Sequence, residues 1–218
     1  MRINFLHGLD DDIREQAMQD WWKENRNFLI FAVVVLFASF GATQYYKQHK
    51  AETIQQQAIA YYKAAQDKSS DGFSKLAEEA NGGYRAMALF EVAKQQVADK
   101  DLEAAAASYG QIRESDASPL LRELAAVLEA QIQLQTAPDQ AEANLKKLVE
   151  AKTPYMQTAI ELLAILEQNR ENYAAAQSYY QDLLAQLGVN LTTRSRVEKR
   201  LSYLKGKGLI ADEAGATN

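Results

Sequence analysis

From Asn27 to Tyr46 the chain carries no charge, and its centre, Phe28 to Ala42, is almost wholly apolar. No other feature limits the fold so strongly. A helix of about 20 residues rises roughly 30 Å, the thickness of a hydrocarbon core. The run is apolar on every side, whereas a helix on a soluble core keeps one polar face. Trp21 and Trp22 precede it and Tyr45 and Tyr46 end it, the placement of an aromatic belt at two membrane interfaces. A transmembrane helix over residues 27–46 is therefore expected. The preceding residues 1–26 contain Asp10, Asp11, Asp12, Glu15, Asp20 and Glu24, which suits a cytoplasmic tail better than the basic start of a cleavable signal peptide. The expectation is an uncleaved anchor. Its orientation is not set by charge: Arg2, Arg14, Lys23 and Arg26 on one side nearly balance Lys47, Lys50 and Lys63 on the other. Within the tail, Ile13, Ala17 and Trp21 share a face at helical spacing, so residues 10–25 are expected to form a juxtamembrane amphipathic helix.

Beyond the run the sequence reads as helix after helix. Residues 47–67 have high helix propensity and no breaker. Ser69-Ser70-Asp71-Gly72 and Asn81-Gly82-Gly83 mark breaks. Ser118-Pro119 and Thr153-Pro154 pair an N-cap with proline at the first helical position, and Pro138 follows Thr136-Ala137. No stretch alternates long enough to suggest a sheet.

These helices repeat. Leu102, Ala105, Tyr109 and Ile112 align with Tyr173, Ala176, Tyr180 and Leu183, and Ala141, Leu145 and Leu148 form a middle copy. Successive alanines stand 36 and 35 residues apart, the tetratricopeptide period with small loop insertions. A small residue lets two antiparallel helices approach, and the large residue four positions on fills the gap to the next pair. The first helices of the pairs supply Leu89, Val92 and Ala93, then Leu128, then Ile160, Leu163 and Ala164. Residues 51–81 read as a degenerate first pair and 191–206 as a solvating last helix. The expected fold is all-α: one N-terminal transmembrane helix, a tetratricopeptide-like helical-hairpin solenoid over 47–206, and a flexible tail over 207–218.

Chemistry of the catalytic kind is missing from the pattern. There is no cysteine, so thiolate zinc sites and thiol nucleophiles are excluded. The two histidines, His7 and His49, flank the apolar run and cannot share a site. No glycine-rich phosphate loop occurs. A net charge of −5 argues against nucleic-acid binding. Carboxylates read as solvated helix-surface groups. The run Arg194, Arg196, Lys199, Arg200, Lys205, Lys207 is interleaved with Val197, Leu201 and Leu204, and reads as an amphipathic cap helix with a basic outer face. Neither an enzyme, a cofactor nor a metal site is expected.

A solenoid of this kind presents the first helix of each pair to a concave face. The repeat alignment places Met87, Phe90, Lys94 and Val97 there, then Glu123, Ala126, Ala130 and Gln133, then Glu161, Ile165 and Gln168. Capture of a peptide carboxylate would need several converging donors, and only Lys94 qualifies. The groove is expected to be mixed and partly apolar, suited to an apolar segment or a partner helix. Self-association is left open.

The order of parts resembles a known family. An acidic tail, the segment Trp21-Trp22-Lys23-Glu24-Asn25, one span and a repeat domain recur in the YfgM-like ancillary SecYEG translocon subunits of Gram-negative bacteria. The segment from Tyr84 to Ala107 is similar to that family's first clear repeat. The resemblance implies an inner-membrane protein with a cytoplasmic N-terminus and a periplasmic domain. It implies association with the SecYEG translocon, a PpiD-like periplasmic chaperone and unfolded secretory proteins. The basic helix at 191–206 and the tail 210–218 depart from the family pattern. The same solenoid could instead serve as an anchored scaffold for another envelope or cell-division complex.

Overall fold

The computed structural model describes the backbone of residues 4–210; side chains at 4–25, 27–30, 32–34 and 41–42 are not among the described ones. The expectations for Trp21, Trp22, the amphipathic face of 10–25 and the tail beyond 210 lie outside the described residues. Within them every regular element is a helix: α1 (Asn4–Gln66), α2 (Ser70–Glu79), α3 (Gly82–Ala98), α4 (Leu102–Glu114), α5 (Pro119–Thr136), α6 (Pro138–Glu150), α7 (Met156–Asn169), α8 (Tyr173–Ala185) and α9 (Leu191–Gly206). The chain divides into two compact units, Met1–Gln56 and Gln57–Asn218.

The first unit is the greater part of α1. Among the described residues, no helix is long and apolar enough to cross a membrane. The apolar run includes the positions 27–30, 32–34 and 41–42, whose side chains are not described. Of those that are, Phe31, Leu36, Phe37, Phe40, Tyr45 and Tyr46 are exposed.

In the second unit, consecutive helices from α2 to α9 pack on one another, and the alternate helices α3, α5 and α7 also touch. That is the connectivity of stacked helical hairpins, α3/α4, α5/α6 and α7/α8, with their first helices in one layer. The repeat alanines Ala105, Ala141 and Ala176 are 0% exposed. Around them Tyr109 and Ile112, Leu145 and Leu148, and Tyr180 and Leu183 are buried. The core runs as three successive clusters, one from α2 to α5, one from α5 to α7 and one from α7 to α9 with Ile210. At the start of the unit, Tyr61 of α1 packs on Phe73 and Tyr84, with ring centroids 5.4 and 6.3 Å away.

The turns follow from backbone bookkeeping at helix ends. After α3, Lys100 takes a left-handed conformation (φ 64°), and Asp101 N–H donates back to Gln96 O at 2.9 Å. The Asp101 side chain then accepts from Ala104 N–H at 3.1 Å, so one residue closes α3 and opens α4. Glu171 (φ 61°) and Asn172 repeat the closing half after α7. Ser69 caps α2 by accepting from Gly72 N–H at 3.0 Å. One start differs from expectation. Thr153-Pro154 does not begin α7; the Thr153 hydroxyl accepts from Tyr155 N–H at 3.3 Å, and the helix opens at Met156. The serine/threonine turn competes successfully with the cap.

Polar links join the hairpins. Arg170 donates to Asp139 Oδ1 (2.7 Å), Glu142 Oε2 (2.6 Å) and Glu167 Oε1 (2.9 Å), tying α6 to the end of α7. Hydrogen bonds from Lys146 and from Arg170 hold the Glu142 carboxyl below its ordinary range. A carboxyl lowered on folding contributes stability above its unfolded pKa, which is lost as pH falls through the folded value. The urea midpoint of the native chain should therefore drop more steeply below pH 4.5, the ordinary value for this group, than that of Glu142→Gln; parallel curves would show that Arg170 and Lys146 leave no imprint on folding.

The buried alanines give a sharper test. Ala176→Trp and Ala105→Trp should each cost about 1–3 kcal/mol or more, because an overpacked interface must open. For a domain of this size that is a fall of a few degrees or more in Tm. Ala107→Trp, on the exposed side of α4, should change little. Calorimetry on the three variants reads the repeat register directly.

Candidate functional site

The eleven candidate residues lie on α3, α5 and α7, but they do not form one groove. On α3, Met87, Lys94 and Val97 are exposed, while Phe90 is half-buried, its ring 5.9 Å from that of Tyr109. Lys94 pairs with Glu91 at 3.0 Å and lines a hollow of about 490 Å³ with Tyr61, Phe73 and Val92. Burial, and next the nearby Glu91 charge, push the Tyr61 phenol above its usual pKa.

On α5 the expectation needs correcting. Ala130 is 0% exposed, and both Ala126 and Ala130 belong to the second core cluster. Ala126 sits at the edge of a different hollow, of about 330 Å³, with Arg113, Arg122, Asn144 and Lys147 from α4, α5 and α6. Gln133 is buried too. Its amide donates to Glu129 Oε1 at 3.1 Å and its carbonyl accepts from Asn144 Nδ2 at 3.4 Å. Arg113 Nε donates to the other Glu129 oxygen at 2.7 Å. These residues join three helices, and Gln133 and Glu129 are buried in the joint, away from any partner. A helix turns 100° per residue, so a shift of one position carries a groove residue into the core.

On α7, Ile165 is half-buried against the second cluster. Gln168 accepts a hydrogen bond from the Tyr180 hydroxyl at 3.3 Å. It also lines the largest of these hollows, about 790 Å³, with Leu191, Arg196, Lys199, Arg200 and Tyr203 of α9. Glu161 is buried, and its two oxygens accept Arg196 Nε and Nη2, each at 2.6 Å. The basic run of α9 is thus not simply a solvated outer face: Arg196 turns toward α7. Val197, Leu204 and Thr193 form the buried side of α9. Reading Glu129 and Glu161 as surface carboxylates also fails, because each is matched by an arginine from another helix. The sequence singled out the basic run; what it lacked was the packing partner that gives the run a direction.

Among the described residues no group of three or more His, Asp or Glu side chains could hold a metal ion. His49 stacks on Tyr45, with centroids 6.2 Å apart. The arrangement is one of exposed apolar and basic helix faces, which is the material of protein contacts.

A model of the tetratricopeptide repeat-like domain family matches residues 19–205. A protein of Aggregatibacter actinomycetemcomitans described as an ancillary SecYEG translocon subunit is 25% identical over 205 residues, covering 90% of this chain and 98% of that relative. A Haemophilus influenzae protein with the same description is 25% identical over 136 residues, covering 59% and 67%. No solved structure matches the chain significantly. The expected resemblance to the YfgM-like family is borne out by these relatives.

The Glu161–Arg196 pair can be tested by a double-mutant cycle. Arg196→Ala leaves a buried carboxylate without its donor and should cost about 1–2 kcal/mol, less than a fully buried pair because the arginine is half-exposed. Adding Glu161→Gln should recover part of the loss, a coupling of about 1 kcal/mol in urea unfolding. Strict additivity would show that the two side chains contribute independently.

Proposed function

The chain belongs to the tetratricopeptide repeat-like domain family, and from that premise we propose that it is a non-catalytic ancillary subunit of the SecYEG translocon. In this reading residues 27–46 cross the inner membrane, residues 1–26 are cytoplasmic, and the repeat domain of 47–206 works in the periplasm. There it binds a PpiD-like chaperone, emerging secretory proteins, or both.

The observation that carries the reading is the extent of the likeness. The family match begins at residue 19, ahead of the apolar run, and ends at 205, so run and repeats are matched together. The first relative is matched over nearly its whole length and is described as a translocon subunit.

Side-chain placement supports the anchor. Phe31, Val35, Leu36, Phe37 and Phe40 are exposed, and at about 100° per residue they spread over roughly two thirds of the circumference of α1. Such a surface is stable only in an apolar medium or under a partner. The hydroxyls in the same stretch need no water: Ser39 donates to Val35 O and Thr43 to Ser39 O, both at 2.7 Å. A bilayer demands that kind of internal satisfaction. Tyr45 and Tyr46, with Trp21 and Trp22, would then stand at the two interfaces. In the domain, the exposed Met87 and Val97 with Lys94 on α3 offer a mixed contact face for a protein partner.

Tagged full-length chain, extracted in mild detergent from a Gram-negative host membrane, should bring down Sec subunits and a periplasmic chaperone. Consistent failure to recover either, with a control membrane protein behaving normally, would sink the proposal.

A further inference from the structure

The cleft beside α9 is the least explained part of the domain. Its floor is set by α7, which contributes Gln168, and its wall is a stripe of α9 at helical spacing. Three cationic side chains, Arg196, Lys199 and Arg200, line it, and no carboxylate does. They are not equivalent. Arg196 is neutralised by Glu161 through two hydrogen bonds. Arg200 lies half-buried near the Tyr180 hydroxyl. Lys199 is exposed, with no ion pair to any described carboxylate. About one turn beyond Tyr203, Lys207 stands over the Tyr203 ring, 5.8 Å from its centroid. A local excess of positive charge therefore stands on a chain whose net charge is −5.

Apolar surface marks the two ends. Leu191 is 83% exposed and Tyr203 58%. They are separated by 12 residues of helix, about 18 Å, which five or six residues of extended chain would span. Tyrosine and arginine, both present in the lining, are among the residue types that most often carry binding energy in protein contacts.

We propose that this cleft docks an acidic peptide segment of a partner protein, five or six residues long, with carboxylates centred on Lys199 and Arg200 and apolar side chains on Leu191 and Tyr203. The occupant follows from charge complementarity and from shape. Two uncompensated cations inside a concavity of about 790 Å³ suit an inserted chain, whereas a flat bilayer surface is met by protruding side chains. The amide of Gln168 adds a donor for a peptide carbonyl. This deepens the proposed function and rests on the domain being a binding module, but it does not depend on which complex holds the chain.

The test uses the full-length chain in non-ionic detergent and a fluorescein-labelled hexapeptide with leucine at each end and four glutamates between. Anisotropy should report a Kd between about 10 µM and 1 mM, weakened on raising salt. Lys199→Glu should weaken it tenfold or more, while Lys75→Glu on α2, an equal change of charge elsewhere, should not. A hexapeptide with lysines in place of glutamates should bind Lys199→Glu better than the native chain. Equal binding of the acidic peptide by native chain and Lys199→Glu, or no binding by the native chain, overturns the proposal. So does loss by Lys199→Glu of binding to phosphatidylglycerol vesicles with peptide binding unchanged, which would assign the cleft to lipid. Recovery of Sec subunits with Lys199→Glu separates this outcome from the fate of the broader function.

Discussion

The repeat domain depends on how closely two helices can approach. Ala105, Ala141 and Ala176 each stand at the crossing of a hairpin with no exposed surface. A methyl group buries little area, so it adds little apolar stabilisation itself. Its effect is geometric. It brings the second helix near enough for Tyr109, Leu145 or Tyr180 to reach across and fill the next layer. Interiors are packed to crystal-like density, so the distance set at the alanine fixes where every large neighbour fits. Three fully buried alanines in equivalent places allow the same close approach in each of the three hairpins, which lets them stack.

Stacking alone does not stop neighbouring hairpins from sliding. The contacts between alternate helices are small, and apolar surfaces are indifferent to modest shifts. The buried acids supply direction. Glu129 accepts from Arg113 and Gln133, and Glu161 accepts from Arg196. A buried carboxylate matched by an arginine adds little net stability, yet leaving it unmatched is costly. Such pairs penalise wrong registers more than they reward the right one. Arg170 acts similarly nearer the surface, where α6 and α7 meet.

Much of this was legible because it repeats or because it is local. The 35–36 residue period identified the alanines and their large neighbours. Asp101 and Ser69 cap helices through their own side chains, and α9 spans the stretch 191–206 assigned to the last helix. The groove was less legible. Placing Ala130 and Gln133 on an exposed face required knowing the rotation of α5, and one residue of error is 100°. Phe90 and Ile165 show the same ambiguity, each half in the core. The direction of the basic run was not legible at all, since Arg196 is turned inward by Glu161, 35 positions away in sequence. Thr153-Pro154 failed for a smaller reason: two local hydrogen-bond patterns compete there, and composition does not say which prevails.

The proposed anchor changes what the proposed cleft must achieve. A site with two usable charges and two apolar ends is weak. Exposed charge pairs contribute about 0.2–1 kcal/mol each, and ordering the peptide offsets part of what its apolar residues gain. A net of about −4 to −6 kcal/mol corresponds to a Kd between roughly 1 mM and some tens of µM. For a protein free in solution that would leave the cleft empty. A tether that holds two partners beside the same membrane complex raises their effective concentration toward the millimolar range, where a weak site fills. Dissociation stays fast because the contact is weak, so a held segment can be released as readily as it was taken. Low affinity is then compatible with a role in transfer, provided position supplies the concentration that contact energy does not.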